Sequence, residues 1–195
     1  MTALRKDLNA SLVAVVVCTL ALGLVYPLLT TGVAQVLFPN KSDGSQVEHG
    51  GKVVGSRLIA QDFRGDRRYF QPRPSQTDYA ANATAFANLG PNQRELSATT
   101  RKRIRRYLAA ERRYTPGLTV ARIPVDAVTN SASGVDPQIS QANARIQANR
   151  IAKLRHIPLG RMLKLIDENT DRRFLGFLGE PGVNVLELNL ALEGA

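Results

Sequence analysis

The sequence predicts an α/β (mixed α+β) exported domain anchored by one N-terminal transmembrane helix. Two observations carry this. No charged residue lies between Asp7 and Lys41, and the rest of the chain interleaves helical and alternating apolar periods. A length of 195 residues suits one domain with its own core and one further element.

The N-terminal stretch reads as a cytoplasmic tip over 1–10 and a span over 11–38, SLVAVVVCTLALGLVYPLLTTGVAQVLF. A bilayer core about 30 Å thick needs roughly 20 apolar residues in helix. The run is longer than the roughly 7–15 apolar residues of a cleavable signal, so an uncleaved anchor is expected despite the small residues Gly32, Val33 and Ala34. Pro27 lacks an N–H and predicts a kink. Gly23 and Gly32 allow a neighbouring helix to approach closely. Arg5 and Lys6 precede the span, which favours a cytoplasmic N-terminus and a periplasmic domain. Cys18, the one cysteine, falls inside the span, so no disulfide is expected.

Beyond the span, residues 39–51 read as a linker and 52–195 as a single periplasmic domain. Lys52–Ala60 suggests a first strand. The segment FQPRPSQTDYAANATAFANLGPN, residues 70–92, holds three prolines and reads as a long loop, which in a compact domain is usually functional. Pro91–Tyr114 predicts a helix with Leu96, Thr100, Ile104 and Leu108 on one face. It also concentrates Arg94, Arg101, Lys102, Arg103, Arg105, Arg106, Arg112 and Arg113, much of the net charge of +10. No nucleic-acid motif accompanies these charges; a solvated face meeting anionic headgroups or an acidic partner is expected.

Val120–Val128 reads as a second strand. Ser140 is a candidate N-cap for SQANARIQANRIAKL, with Ala144, Ala148, Ile151 and Ala152 on the buried face. Pro158 opens another helix that buries Leu159, Met162, Leu163 and Ile166. The tail VNVLELNLALE alternates Leu186, Leu188, Leu190 and Leu192 against polar residues and predicts a half-buried strand.

Between the second strand and the Ser140 helix lies VTNSASGVDPQIS, residues 128–140. A phosphate cradle there lacks the glycine and lysine spacing of nucleotide loops. A serine nucleophile at Ser131 or Ser133 lacks the elbow motif, and His49 and His156, the chain's two histidines, are poorly placed to serve it as a base. The histidines make no metal cluster either. A rigid loop for partner contact is expected, with Gly134 permitting a positive φ and Pro137 stiffening the entry to the helix.

The ordered segments YPLLTTGVAQVLFP, GSRLIAQDF, YFQPRPSQTDY, NLGPN, IPVDAVTNSASGVDPQIS, QANRIAKLR and VNVLELNLAL resemble the C subunits of Kdp-type potassium-transporting ATPases over essentially the full length. The resemblance implies a non-catalytic assembly and modulatory subunit, a catalytic chaperone, in the inner membrane. The implied partners are a potassium-channel-like pore subunit, a P-type ATP-hydrolysing subunit and a small accessory peptide. It implies no cofactor of the chain's own, ATP at the hydrolysing subunit, whose ATP affinity this chain raises, and potassium as the transported ion. The positions it carries over as a partner or modulatory surface are Phe70, Arg73, Pro74, Ser75 and Thr77, then Asn88, then Asp126, Thr129, Ser131, Ser133, Gly134, Asp136 and Ser140. Gln147, Arg150, Asn184, Glu187 and Asn189 complete the set. Residues 83–87, Ala-Thr-Ala-Phe-Ala, lack the glycine pair common in the family at that point. Arg73, between Pro72 and Pro74, is expected to present its guanidinium to a partner carboxylate. A periplasmic domain does not meet cytoplasmic ATP, so an effect on ATP affinity is expected to travel through the partners. The alternative is a membrane-anchored periplasmic domain that binds a ligand alone.

Overall fold

Pro27 shapes the first element. The computed structural model of the protein describes residues 2–194, and the chain divides between Gln46 and Val47 into two compact units. The first is built on one helical run, Ala3–Leu37, of 35 residues, within which an 18-residue window has mean hydropathy 2.5. It is a candidate membrane span by length and composition. Pro27 cannot donate to the carbonyl one turn back, and the helix answers by widening. α1 (Thr2–Leu20) passes into a π turn (Ala21–Val25) before α2 (Tyr26–Leu37), with the Tyr26 N–H donating to Ala21 O. The Thr30 hydroxyl donates back to the Tyr26 and Pro27 carbonyls at 2.9 and 3.0 Å, so its polar group is satisfied within the helix. Gly23 lies in the wide turn and Gly32 in α2.

The segment expected as a linker is structured. It carries the single-turn helix α3 (Pro39–Ser42) and strand β1 (Gln46–His49), which pairs with β2 (Lys52–Ser56). Gly50 and Gly51 join them with φ of +59° and +75°, the two positive values a two-residue hairpin turn demands. The expected first strand therefore stops at Ser56, four residues short of Ala60.

In the second unit, α4 (Arg94–Glu111), α5 (Gln141–Arg155), α6 (Leu159–Glu168) and α7 (Val185–Glu193) accompany an antiparallel sheet of order β3 (Gln138–Ile139), β5 (Gly182–Asn184), β4 (Thr170–Asp171). Ile139 and Thr170 both pair with Val183. A Cβ at Gly182 would fall 2.4 Å from Gln138 Oε1, so a larger residue there would push that side chain off Asp171. Ser140 caps α5 by accepting from the Asn143 N–H at 3.1 Å, and His156 ends it in the left-handed conformation, φ +57°. One of the two histidines thus has a structural post. The core joins Phe70, Ile139, Ala144, Ala148, Ile151, Met162, Ile166, Val183, Val185, Leu188 and Leu192.

Three further expectations fail. Val120–Val128 forms two short 3₁₀ turns, Val120–Arg122 and Val125–Ala127, instead of a strand. Pro124 between them has no N–H for a ladder. Leu159 is 42% exposed although it shares the Met162–Ile166 face, because it is the first residue of α6 and lies at the end of that stripe. The tail is a helix. Leu, Glu and Ala are strong helix formers, and the Asn184 side chain caps the turn by accepting from the Glu187 N–H at 3.2 Å. Val185, Leu188, Asn189 and Leu192 are buried at the helical spacing, and Leu186 is buried beside them.

Helix and strand readings of this tail differ in which leucines matter. Leu188→Ala is expected to cost about 2–5 kcal/mol and Leu190→Ala less than half as much, since Leu188 is fully buried and Leu190 half-buried. Urea unfolding of the full chain in detergent, followed by tyrosine emission, measures both; equal costs would restore the alternating strand.

Candidate functional site

The long segment from Arg67 to Thr77 has no strand or helix of its own, so its backbone groups must find partners elsewhere. Side chains from the helices supply them. Asn189 on α7 accepts from the Phe70 N–H at 2.8 Å and donates to the Phe70 carbonyl at 3.0 Å. Gln147 on α5 treats Gln71 the same way, at 2.8 and 3.1 Å. Each amide presents one acceptor and one donor, as a neighbouring strand would.

One turn on from Gln147, Arg150 is 1% exposed. Its Nε donates to Glu111 Oε1 at 2.8 Å and its Nη2 to Gln147 Oε1 at 3.0 Å. Its Nη1 donates to the carbonyls of Arg67 and Tyr69. Burial pushes the Glu111 carboxyl up, and Arg150 opposes that shift by charge and hydrogen bond. The other carboxylate oxygen, Oε2, is buried without a partner among the described residues.

The 128–140 loop folds against the next part of the same segment. Arg73 pairs with Asp136 at 2.9 Å and donates to the Asn130 carbonyl at 3.2 Å. The Ser75 hydroxyl donates to the Gly134 carbonyl at 2.6 Å and accepts from the Thr77 and Tyr79 N–H groups. The Ser131 N–H reaches the Pro74 carbonyl at 3.2 Å. Gly134 adopts φ +78°, and a Cβ there would lie 3.0 Å from Ala85 O and 3.3 Å from Thr77, so the position needs glycine. Asp126 closes the base of the loop. It accepts from the Ser140 N–H, the Ser140 hydroxyl and Asn143 Nδ2 at 2.8–2.9 Å.

Between this clasp, α4 and α5 lies a cleft of about 290 Å³, lined in part by Arg64, Tyr79, Arg103, Arg106, Tyr107 and Glu111. Arg64 is held by Asp62 at 2.8 Å and Asp78 at 3.0 Å. Arg103 reaches Asn130 Oδ1 at 2.7 Å, and burial lowers its affinity for a proton. Burial also raises the Tyr79 phenol to about 12 and pushes that of Tyr107 up further. Both hydroxyls donate, to Arg73 O and Asn143 Oδ1. The cleft is basic, and its tyrosines are neutral donors.

Of the residues expected on a partner surface, Phe70, Ser131, Gly134, Gln147, Arg150, Asn184 and Asn189 are buried, so they build the domain from within. Arg73 is a correction of its own: it faces Asp136, not a partner carboxylate, because the neighbouring loop offers one at 2.9 Å. Pro74, Ser75, Thr77, Asp126, Thr129, Asp136, Ser140 and Glu187 are half-buried. Thr129 donates to the Val125 carbonyl at 2.8 Å, and Glu187 pairs with Arg57 at 3.2 Å. Asn88 and Ser133 are exposed. Glu111, Tyr107 and Asn143 were missed by sequence reading, and Arg103 was read only as part of a solvated basic face, whereas it is half-buried against Asn130. A usable signal existed for one: Asn143, Gln147 and Arg150 recur at helical spacing beside the predicted apolar face of α5. Among the described residues no three His, Cys, Asp or Glu side chains come together as metal ligands.

Because Arg150 ties Glu111 to the 67–71 backbone, Arg150→Ala is expected to destabilise the domain by about 3–5 kcal/mol, the cost of leaving one buried charge unpaired. Pairing it with Glu111→Leu should recover only part of the loss, since the Arg67 and Tyr69 carbonyls stay unserved. Denaturant unfolding of both variants decides this, and a silent Arg150→Ala would remove the guanidinium from its central place.

Comparison with known proteins agrees with this end-to-end organisation. The family model described as "K+-transporting ATPase, c chain" matches residues 8–194. The potassium-transporting ATPase KdpC subunit of Rhodospirillum rubrum is 48% identical over 190 residues, covering 96% of this chain and 95% of the relative. That of Methylibium petroleiphilum is 48% identical over 194 residues, covering 98% of each. That of Mycobacterium tuberculosis is 44% identical over 192 residues, covering 97% and 99%. Matched from the anchor helix through α7, the chain belongs to the family of K+-transporting ATPase c chains.

Proposed function

We propose that this chain is an accessory, non-catalytic subunit of an ATP-driven potassium uptake complex. It is held in the inner membrane by the Ala3–Leu37 helix, with its C-terminal domain in the periplasm. The observation that carries this reading is the near full-length similarity to K+-transporting ATPase c chains. The tip charges Arg5 and Lys6 support the orientation through the positive-inside bias. The partners are the pore subunit, the P-type hydrolysing subunit and the small accessory peptide, and Gly23, Pro27 and Gly32 are the points where the anchor meets a neighbouring helix. The loop 128–140 turns much of its hydrogen-bonding capacity to the 73–77 segment and to its own turn, which argues against a free phosphate cradle. The chain therefore raises ATP affinity by coupling through its partners.

A second reading has one specific observation in its favour. The cleft carrying Arg64, Arg103 and Arg106 suits a small anion, as an anchored ligand-binding domain acting alone would require. Affinity purification in mild detergent separates the two: the large polytopic subunits are expected to accompany the chain, and a chain recovered alone would favour the second reading. Gly32→Leu should then reduce recovery of those subunits, and unchanged recovery would remove the helix contact. For orientation, Lys153 is exposed on α5. Lys153→Cys is expected to react with an impermeant maleimide in intact spheroplasts, over a low background from Cys18 within the span. Reaction only after permeabilisation would place the domain in the cytoplasm and make direct ATP contact the better account.

A further inference from the structure

The hairpin between β4 and β5, Arg172–Glu180, holds apolar side chains in solvent. Phe174, Leu175, Phe177 and Leu178 are 70%, 70%, 68% and 47% exposed. Scattered single exposures need no explanation, whereas a contiguous patch does. This one is also rigidly built. The Phe174 N–H donates to the Leu178 carbonyl at 2.8 Å and the Leu178 N–H to the Phe174 carbonyl at 2.9 Å, while the Gly176 N–H reaches Arg173 O at 3.1 Å. Arg173 clamps the base by a forked pair with Glu180 at 3.0 and 2.8 Å. The tip needs two successive positive φ values, +53° at Leu175 and +83° at Gly176. The first is uncommon for a branched-chain residue and is strained.

A strained, cross-bonded turn that leaves four apolar side chains wet is preorganised for burial against something else. A fixed shape suits a socket of matching form, and a c chain of a K+-transporting ATPase has other chains to offer one. The net charge, +9 beyond Asp7, opposes docking onto a second copy of the same chain. Arg173 is neutralised by Glu180, whereas Arg172 makes no ion pair among the described residues, so the rim of the socket carries a carboxylate. We propose that Phe174–Leu178 is a docking knuckle that inserts into an apolar, acid-rimmed socket on a membrane-embedded partner chain. This rests on the reading of the chain as a subunit of a transport complex.

The test uses the full chain expressed with its partner subunits, with Phe177 replaced by the photocrosslinking analogue p-benzoylphenylalanine and membranes irradiated before solubilisation. An adduct with a polytopic subunit, mapped by mass spectrometry to an apolar segment bearing Asp or Glu, is expected. Adducts only with lipid, only with a second copy, or none at all would overturn the proposal. In parallel, Phe174→Ser with Phe177→Ser should lower recovery of the polytopic subunits about tenfold or more, as loss of interface anchors does. The urea midpoint of the domain should hold, because both rings are already largely exposed. Full recovery would overturn the knuckle. The unmodified chain separates the two failures: if it brings no polytopic subunit, the subunit reading itself falls, and if it does while the variant does so equally, only the knuckle falls.

Discussion

Arg150 is the group on which the clasp depends. A guanidinium removed from water is tolerable only when its donors are met and its charge is balanced, and here Glu111, Gln147 and two backbone carbonyls meet it together. Each partner sits on a different part of the chain: the end of α4, the middle of α5 and the segment that begins at Arg67. The requirements of one buried charge thus tie three regions that no regular hydrogen-bond ladder connects.

The same logic extends outward from that point. A proline-rich segment cannot join a sheet, because each proline removes a donor and constrains the residue before it. The amides of Gln147 and Asn189 stand in for a neighbouring strand at Gln71 and Phe70, allowing Phe70 to enter the core at 0% exposure. Farther along, Arg73 and Ser75 pass the fixation on to Asp136 and Gly134. Polar side chains therefore order a segment that hydrophobic burial alone would leave without register, and the basic cleft beside it inherits its shape from them.

The helices were legible where local signals agreed. Ser140 as N-cap, the apolar face of α5 and the Leu96–Leu108 face of α4 follow from spacing alone. The tail misled because leucines at every second position satisfy a strand, and the deciding residues were polar: Asn184 as a cap and Asn189 as a buried bracket. Val120–Val128 misled for the opposite reason, since apolar content outweighed the effect of Pro124. At the site, residue identity was more legible than role. Gln147, Arg150 and Asn189 were singled out as surface, although each is buried. Helical spacing can place such a side chain beside the apolar face, but nothing local tells that it serves the backbone of a segment 76 or 119 residues away.

The result is a domain with an inverted distribution of chemistry at its two ends of interest. Around Arg150 the polar groups are inside, mutually satisfied and geometrically demanding, so they favour one arrangement of the chain over competitors of similar compactness. At Phe174–Leu178 the apolar groups are outside, held by a backbone that accepts a strained φ at Leu175 to keep them there. Internal polar networks specify shape, and exposed apolar anchors supply affinity once a matching surface removes them from water. A domain arranged this way is suited to holding a fixed form against another protein.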